Sequence, residues 1–345
     1  MLKIQQASCI VLIVFLFSTL FAQSADLTSG KIEYLRPNIP DYQTPPFKGE
    51  RYDDIVPDTL DIAEMSRLAL HGMTGPTDPD YDHELYWFIC FNLNPPRMQH
   101  DQNDWCSMYH MVALVLNRII SGSDIGANVE ETWKQGLLKG LGPDGLFYLP
   151  IVGRPWARDN FFYSPAVAWQ EDGTSISFYD EKLKHYSQQW MCAKMIETMG
   201  VYYLREKNPM WKEALDNMYK GMRRIAIDKD DFTYFPPGVY APGGIAPRDA
   251  QIPLGMESVN ATWPVQAIAI YYKLTGNEEA KEFARRLALY NIDHAEFFDR
   301  EGRWLTGPLL ANLDPNLFDK YGGHFGSHTL GVLAVADYAA IAGDK

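Results

Sequence analysis

The stretch "YYLREKNPMWKEA" at residues 202–214 returns in altered form as "YYKLTGNEEAKEF" at residues 271–283. Tyr202, Tyr203, Asn208, Lys212 and Glu213 recur 69 residues later as Tyr271, Tyr272, Asn277, Lys281 and Glu282, and Asp230 returns as Asp299. Each copy reads as an apolar helix, a tight turn, an amphipathic helix with basic residues near its end, and then an aromatic loop. A repeat of this length points to an architecture of stacked units, and it has to be recognised before any fold is named.

The turn recurs more widely, as Thr74-Gly75, Ser121-Gly122, Thr275-Gly276 and Ala342-Gly343. Glycine there suits the left-handed residue that closes a helix. Counting back from the turns predicts five apolar helices starting near Pro57, Asp104, Gln189, Ser258 and Phe325. Amphipathic partners are predicted over 129–139, 210–227 and 278–294, with a first partner around 83–92. A helix without a polar face must be covered on all sides, whereas an amphipathic one can face water. The alternation predicts an all-α protein, an α/α toroid of helical hairpins with inner helices around an axis and outer helices as its wall. A solenoid of helix pairs alternates in the same way, but the long aromatic loops between hairpins favour the toroid. The chain stops at Lys345, just after the turn that should launch a fifth outer helix. The expectation is therefore an incomplete (α/α)6 barrel of about four and a half hairpins, truncated at the C-terminus.

The chain has 345 residues, 46% of them hydrophobic, enough for a large core. Residues 1–24 read as a secretory signal, with Lys3 ahead of an apolar run from Ile10 to Phe21 and a cleavage site after Ser24. Residues 25–56 read as an extended, proline-rich segment wrapping the outside, and 57–345 as the toroid. The expected location is periplasmic or extracellular, with no stable membrane span once the signal is cut. A net charge of -13 spread along the chain argues against nucleic acid as a partner. Cys90, Cys106 and Cys192 show no CxxC spacing and read as buried helical thiols. No P-loop, Rossmann fingerprint, HExxH or GxSxG occurs, so no cofactor is expected. The sequence sets no oligomeric state.

Aligning the units by their turns puts Asn103, Gln188, Glu257 and His324 at one equivalent position before the inner helices, hence on one rim of a closed ring. The positive ends of the helix dipoles meet there. Rim loops add Asp101, Asp104, Asp159, Arg158, Arg248, Asp249 and His328, together with Trp105, Trp156 and Tyr163 as flat aromatic faces. Carboxylates mixed with aromatics suit a carbohydrate, whose hydroxyls need polar partners while its C–H face stacks on rings. His324 and His328 have i, i+4 spacing but no further ligand in sequence, so no metal site is assigned.

This pattern, with "GPDGLFYLPIVGRPWA" at 142–157, resembles the bacterial six-hairpin glycosidase-like proteins, which include unsaturated uronyl hydrolases and glucuronidases. The resemblance implies catalytic carboxylates near the starts of inner helices, and Asp104 and Glu257 match that placement. Glycoside hydrolysis needs a proton donor and a second group that activates water or attacks. Glu257, between an apolar helix and a proline-rich loop, suits the acid, and Asp104, beside His100 and Asp101, the base. Each has a structural alternative, Glu257 as a partner of the helix dipole and Asp104 as an N-cap. The expected function is an oligosaccharide hydrolase, with Arg248 available for a uronate carboxylate. Two rivals stand beside it: a lyase using Tyr240, Arg248, Asn260 or His324, and a non-catalytic carbohydrate-binding toroid.

Overall fold

The computed structural model describes residues 28–40, 60–90, 97–100, 108–158, 167–253, 262–295, 297, 300–301 and 325–344. Eight α-helices lie among them: α1 (Ile62–Thr74), α2 (Met108–Ser121), α3 (Ala127–Gly140), α4 (Gln189–Glu206), α5 (Pro209–Ile225), α6 (Thr262–Thr275), α7 (Glu278–Leu289) and α8 (Phe325–Ala342). Helices α1, α2, α4, α6 and α8 pack in that order, each against the next, while α5 lies on α4 and α7 on α6. These are the five inner helices and the outer partners that the repeat implied. Thr262 faces Gly331, and Gln266 bonds Asp337 further along both helices, so α6 and α8 run parallel. Trp190 beside Trp263 and Gly200 against Leu274 set α4 parallel to α6. The N-terminal ends of α4, α6 and α8 therefore share one end of the ring.

Burial separates the two helix types. Outer helix α5 buries Trp211, Ala214, Leu215, Met218, Met222 and Ile225 on one face, the spacing of a helix with a single apolar side. Burying each large apolar side chain contributes about 1.5–3 kcal/mol. Inner helix α4 buries eleven of its 18 residues, around most of its circumference. The repeat holds at the level of single atoms. Lys207 and Gly276, equivalent in the two copies, both close inner helices in the left-handed conformation, with φ of 54° and 69°. Asn208 then accepts from the Met210 N–H at 3.0 Å and Asn277 from the Glu279 N–H at 2.9 Å, capping the two outer helices alike. Gly122 and Gly343 take the same conformation, but Gly75 has φ of -72° because the chain runs through Pro76 straight into a strand.

The expected first outer helix around 83–92 is instead a strand. Asp82 and His83 both have positive φ, 54° and 59°, and two consecutive left-handed residues cannot open a right-handed helix. The aromatic run that follows forms β2 (Glu84–Cys90), paired with β1 (Thr77–Asp78) on one side and β3 (Arg97–His100) on the other. Cys90 thus ends a strand, whereas Cys192 is the buried helical thiol expected, its pKa pushed up to about 11 by burial. Cys106 lies outside the described residues. The loops into α4 and α6 carry three further small sheets: β4 (Leu149–Pro150) with β7 (His185–Tyr186), β5 (Val167–Trp169) with β6 (Ser175–Ser177) and β10 (Val239–Tyr240), and β8 (Ile227–Asp228) with β9 (Thr233–Tyr234).

Residues 28–40 have no regular structure and lie against α3 and the loop after β4. Arg36 donates its N–H to the Lys139 carbonyl and Glu33 to that of Val152, while Ile32 and Tyr34 are buried. Gly153, with φ of 86°, lets this segment pass, since a Cβ there would stand 1.9 Å from the Lys31 carbonyl oxygen. Among the described residues no helix is long and apolar enough to cross a membrane.

Candidate functional site

The seven residues of α4 outside its buried set include Lys194, Glu197, Val201 and Leu204, spaced three or four apart, which gives one partly exposed stripe along an otherwise covered helix. On α6 the corresponding stripe begins with Trp263 and Gln266, and on α8 it includes Asp337. Because the three helices are parallel neighbours, these side chains meet. Gln188, the N-cap of α4, uses its side-chain oxygen to accept from the Trp190 indole N–H and so fixes that ring. The Trp190 and Trp263 rings lie 5.3 Å apart at 43°. The Lys194 ammonium sits 5.6 Å from the Trp263 ring and bonds both oxygens of Glu197, at 3.0 and 3.1 Å. The Gln266 amide donates to Asp337.

Glu197 holds its proton above the ordinary carboxylate range. Burial is the main cause and Asp337 adds to it, while Lys194 pulls the other way. Two carboxylates on separate helices, one with raised proton affinity, therefore share the inner face with two indoles, Glu197 midway along α4 and Asp337 past the middle of α8. Apart from Gln188, none of these residues stood out in the sequence, although a signal was present. Asp337 is the one acidic residue in the apolar run of α8, and Lys194 and Glu197 interrupt the apolar run of α4.

A second group of charges surrounds the strands before α2. His100 and Asp78 pair at 3.1 Å, and the Tyr86 hydroxyl donates to the same Asp78 oxygen at 2.9 Å. Burial lowers the His100 pKa, partly offset by Asp78. Glu84, fully enclosed, bonds Arg154 and accepts from the Trp156 indole at 2.8 Å; burial lifts its carboxyl to about 7, with Arg154 opposing.

The predicted residues fall in different places. Trp156 is 7% exposed, stacked on His100 at 3.8 Å and edged by Tyr81 at 4.7 Å, so its ring is occupied by the protein itself. Arg158 donates to the carbonyls of Tyr179, Asp180 and Leu183 and ties down the loop after β6. Arg248 is exposed, donates to the Ala226 carbonyl at 3.3 Å, and lines a groove of about 910 Å³ in the outer wall with Arg223, Arg224 and Arg286. Tyr240 is wholly buried, and burial raises its pKa. His328 lies in the first turn of α8. Asp101, Asp104, Trp105, Asp159, Tyr163, Glu257, Asn260 and His324 lie outside the described residues.

No family model matches the sequence, and no curated protein does. Solved structures do resemble the fold. Cellobiose 2-epimerase from Bacillus thermoamylovorans aligns with a TM-score of 0.50 at 9% identity, over 82% of this chain and 67% of that one. An unsaturated glucuronyl hydrolase specific for heparin aligns at 0.44 and 13% identity, over 70% and 61%. The cellobiose 2-epimerase of Spirochaeta thermophila aligns at 0.43 and 12%, over 82% and 73%. The chain thus spans about two thirds of the proteins it resembles. The likeness shows the fold, an α/α toroid of helical hairpins.

Proposed function

We propose that this chain is an exported carbohydrate-processing protein, a glycoside hydrolase whose oligosaccharide substrate enters at the N-terminal end of the inner-helix ring. The observation that carries this reading is the meeting of Trp190 and Trp263 with Glu197, Gln266 and Asp337 on neighbouring inner helices. The half-buried Trp263 indole, backed by the buried Trp190 and set beside hydrogen-bond acceptors, complements a sugar ring, which is apolar on its C–H face and donates through its hydroxyls. In this reading Asp104, shortly before α2, is the base that takes a proton from water. Glu257, shortly before α6, is the acid that protonates the glycosidic oxygen as the bond breaks. Carboxyl groups about 5 Å apart would make the reaction retaining, and about 6.5–9.5 Å inverting.

The test is release of new reducing ends from a panel of oligosaccharides. Wild-type protein is expected to act on at least one, and Asp104→Asn and Glu257→Gln to lower kcat by about 10²–10⁴-fold. Unchanged turnover in both variants would remove them from the chemistry. The lyase reading predicts product absorbing in the ultraviolet from a new conjugated double bond. The burial of Tyr240 speaks against that tyrosine as its base. Sugar binding without turnover would favour a non-catalytic toroid.

A further inference from the structure

The layer formed by Trp190, Lys194, Glu197, Trp263, Gln266 and Asp337 also bears on which sugar it takes, if the carbohydrate reading above holds. One ammonium group faces two carboxylates. That ammonium is already committed to both oxygens of Glu197, at 3.0 and 3.1 Å, and lies over the Trp263 ring. Gln266 donates one amide N–H to Asp337 and keeps a carbonyl oxygen as acceptor and a second N–H as donor. The described surface therefore sets two carboxyl groups against one ammonium, and its acceptors outnumber its uncommitted donors.

Its chemical complement is a molecule that donates hydrogen bonds without bringing negative charge. Sugar hydroxyls do this, and a carboxylate can bridge two neighbouring ones. A uronate presents the opposite, a charged group that only accepts. A carboxylate about 6 Å from an unpaired carboxylate, at an effective dielectric of about 20, loses on the order of a hundredfold in affinity. Among the described residues, three arginines that could reverse this are engaged elsewhere. Arg158 serves three backbone carbonyls, Arg205 is bound by Glu130 and Glu206, and Arg248 lines the outer groove. The net charge of -13 adds a longer-range repulsion of acidic polysaccharides.

We infer that this inner-ring layer is the sugar-contacting surface and that it accepts an uncharged sugar in preference to a uronate. The inference rests on the carbohydrate reading, and the experiment separates the two. Full-length protein is screened at neutral pH against an array of neutral oligosaccharides and their glucuronate-terminated counterparts, and hits are titrated by calorimetry. Neutral probes are expected to bind, with the matched uronate at least tenfold weaker. Asp337→Asn is expected to weaken the neutral probe about tenfold and to narrow that gap, and Asp337→Lys to reverse the preference. Circular dichroism checks that the variants fold; should Asp337 variants fail, Gln266→Ala and Trp263→Phe give the same readout on the neutral probe. A uronate probe binding as tightly as its neutral match overturns the inference and leaves the carbohydrate reading intact. Neutral binding untouched by any of these variants overturns it too, by placing the sugar elsewhere. Binding of no probe in either set brings down the carbohydrate reading together with the inference.

Discussion

Two groups of charged residues sit at different levels along the inner helices, built from the same residue types to different ends. At the C-terminal ends of α2 and α4, Arg118, Lys134, Glu130, Arg205 and Glu206 form a closed network. Glu130 accepts from Arg118 at 2.7 Å and from Arg205 at 2.9 Å, and Glu206 from Arg205 at 2.8 Å, Lys134 at 3.0 Å and the Trp211 indole at 2.6 Å. Arg118 also caps the helix end through the Ser123 and Ile125 carbonyls. Both carboxylates are at most 5% exposed in their side chains. Nearer the middle of α4, Glu197 and Lys194 are 14% and 12% exposed, and one ammonium answers for two carboxylates. Where both oxygens of each carboxylate meet donors and water is excluded, charge locks helices together; where one ammonium serves and solvent reaches the side chains, charge is available to a ligand.

The largest expected effect tests the closed network. Glu130→Ala leaves Arg118 buried without its carboxylate and Arg205 with Glu206 alone, and should cost about 3–5 kcal/mol in denaturant unfolding, against less than about 1 kcal/mol for Glu197→Gln. Equal costs would erase the contrast between the two groups.

The second prediction concerns pH, and the rim pair Glu84–Arg154 supplies the counter-case. Burial pushes Glu130 upward, but Arg205 and Arg118 more than reverse it and leave it below its ordinary value. Its contribution is complete above the unfolded carboxylate pKa and is lost as pH falls through the lower folded value. Glu84 runs the other way: folded, it keeps its proton to about 7, whereas the free carboxyl loses it near 4.5. The folded state then binds more protons between those values, so stability falls as pH rises through that window. Unfolding free energies measured from pH 4 to 8 should show this slope, and Glu84→Gln should flatten it while leaving the acid limb from Glu130 in place.

A third test sharpens the open group. Trp263→Ala removes one indole and the cation–π partner of Lys194, and should weaken a bound oligosaccharide about tenfold with the ring still folded, as read by calorimetry. The smallest effect is a gain. Lys207→Gly relieves a left-handed lysine at the turn where the other copy already has Gly276, and should stabilise by up to about 1 kcal/mol in thermal unfolding.

Much of the architecture was legible because repetition exposes it. The 69-residue echo located the turns, and Asn208 and Asn277 cap their helices as the echo implies. Strand β2 was not legible as a strand. Its run of aromatics carries no period that separates strand from helix, and the deciding fact is the left-handed pair Asp82–His83, a backbone property set by tertiary contacts such as the Tyr34 hydroxyl on Asp82. The candidate site was only half legible. Aligning turns proposed a rim of which Gln188, the N-cap of α4, lies among the described residues, yet Trp156 was chosen as an open aromatic face when Glu84 and His100 had already claimed it. Lys194, Glu197, Gln266 and Asp337 escaped notice because isolated polar residues in apolar helices look incidental until parallel packing brings them side by side. Asp104 and Glu257, outside the described residues, remain a proposal drawn from sequence placement alone.

The serial packing of the inner helices has a kinetic consequence. Since α1, α2, α4, α6 and α8 each rest on the next inner helix, each contact joins neighbouring units of the ring, and every step of assembly closes a loop about one repeat long. Assembly can begin at a central pair such as α4 and α6 and spread outward one helix at a time. In the same way, α1, which exposes Ile62, Met65 and Leu68, can detach without loosening the pair that holds the two tryptophans.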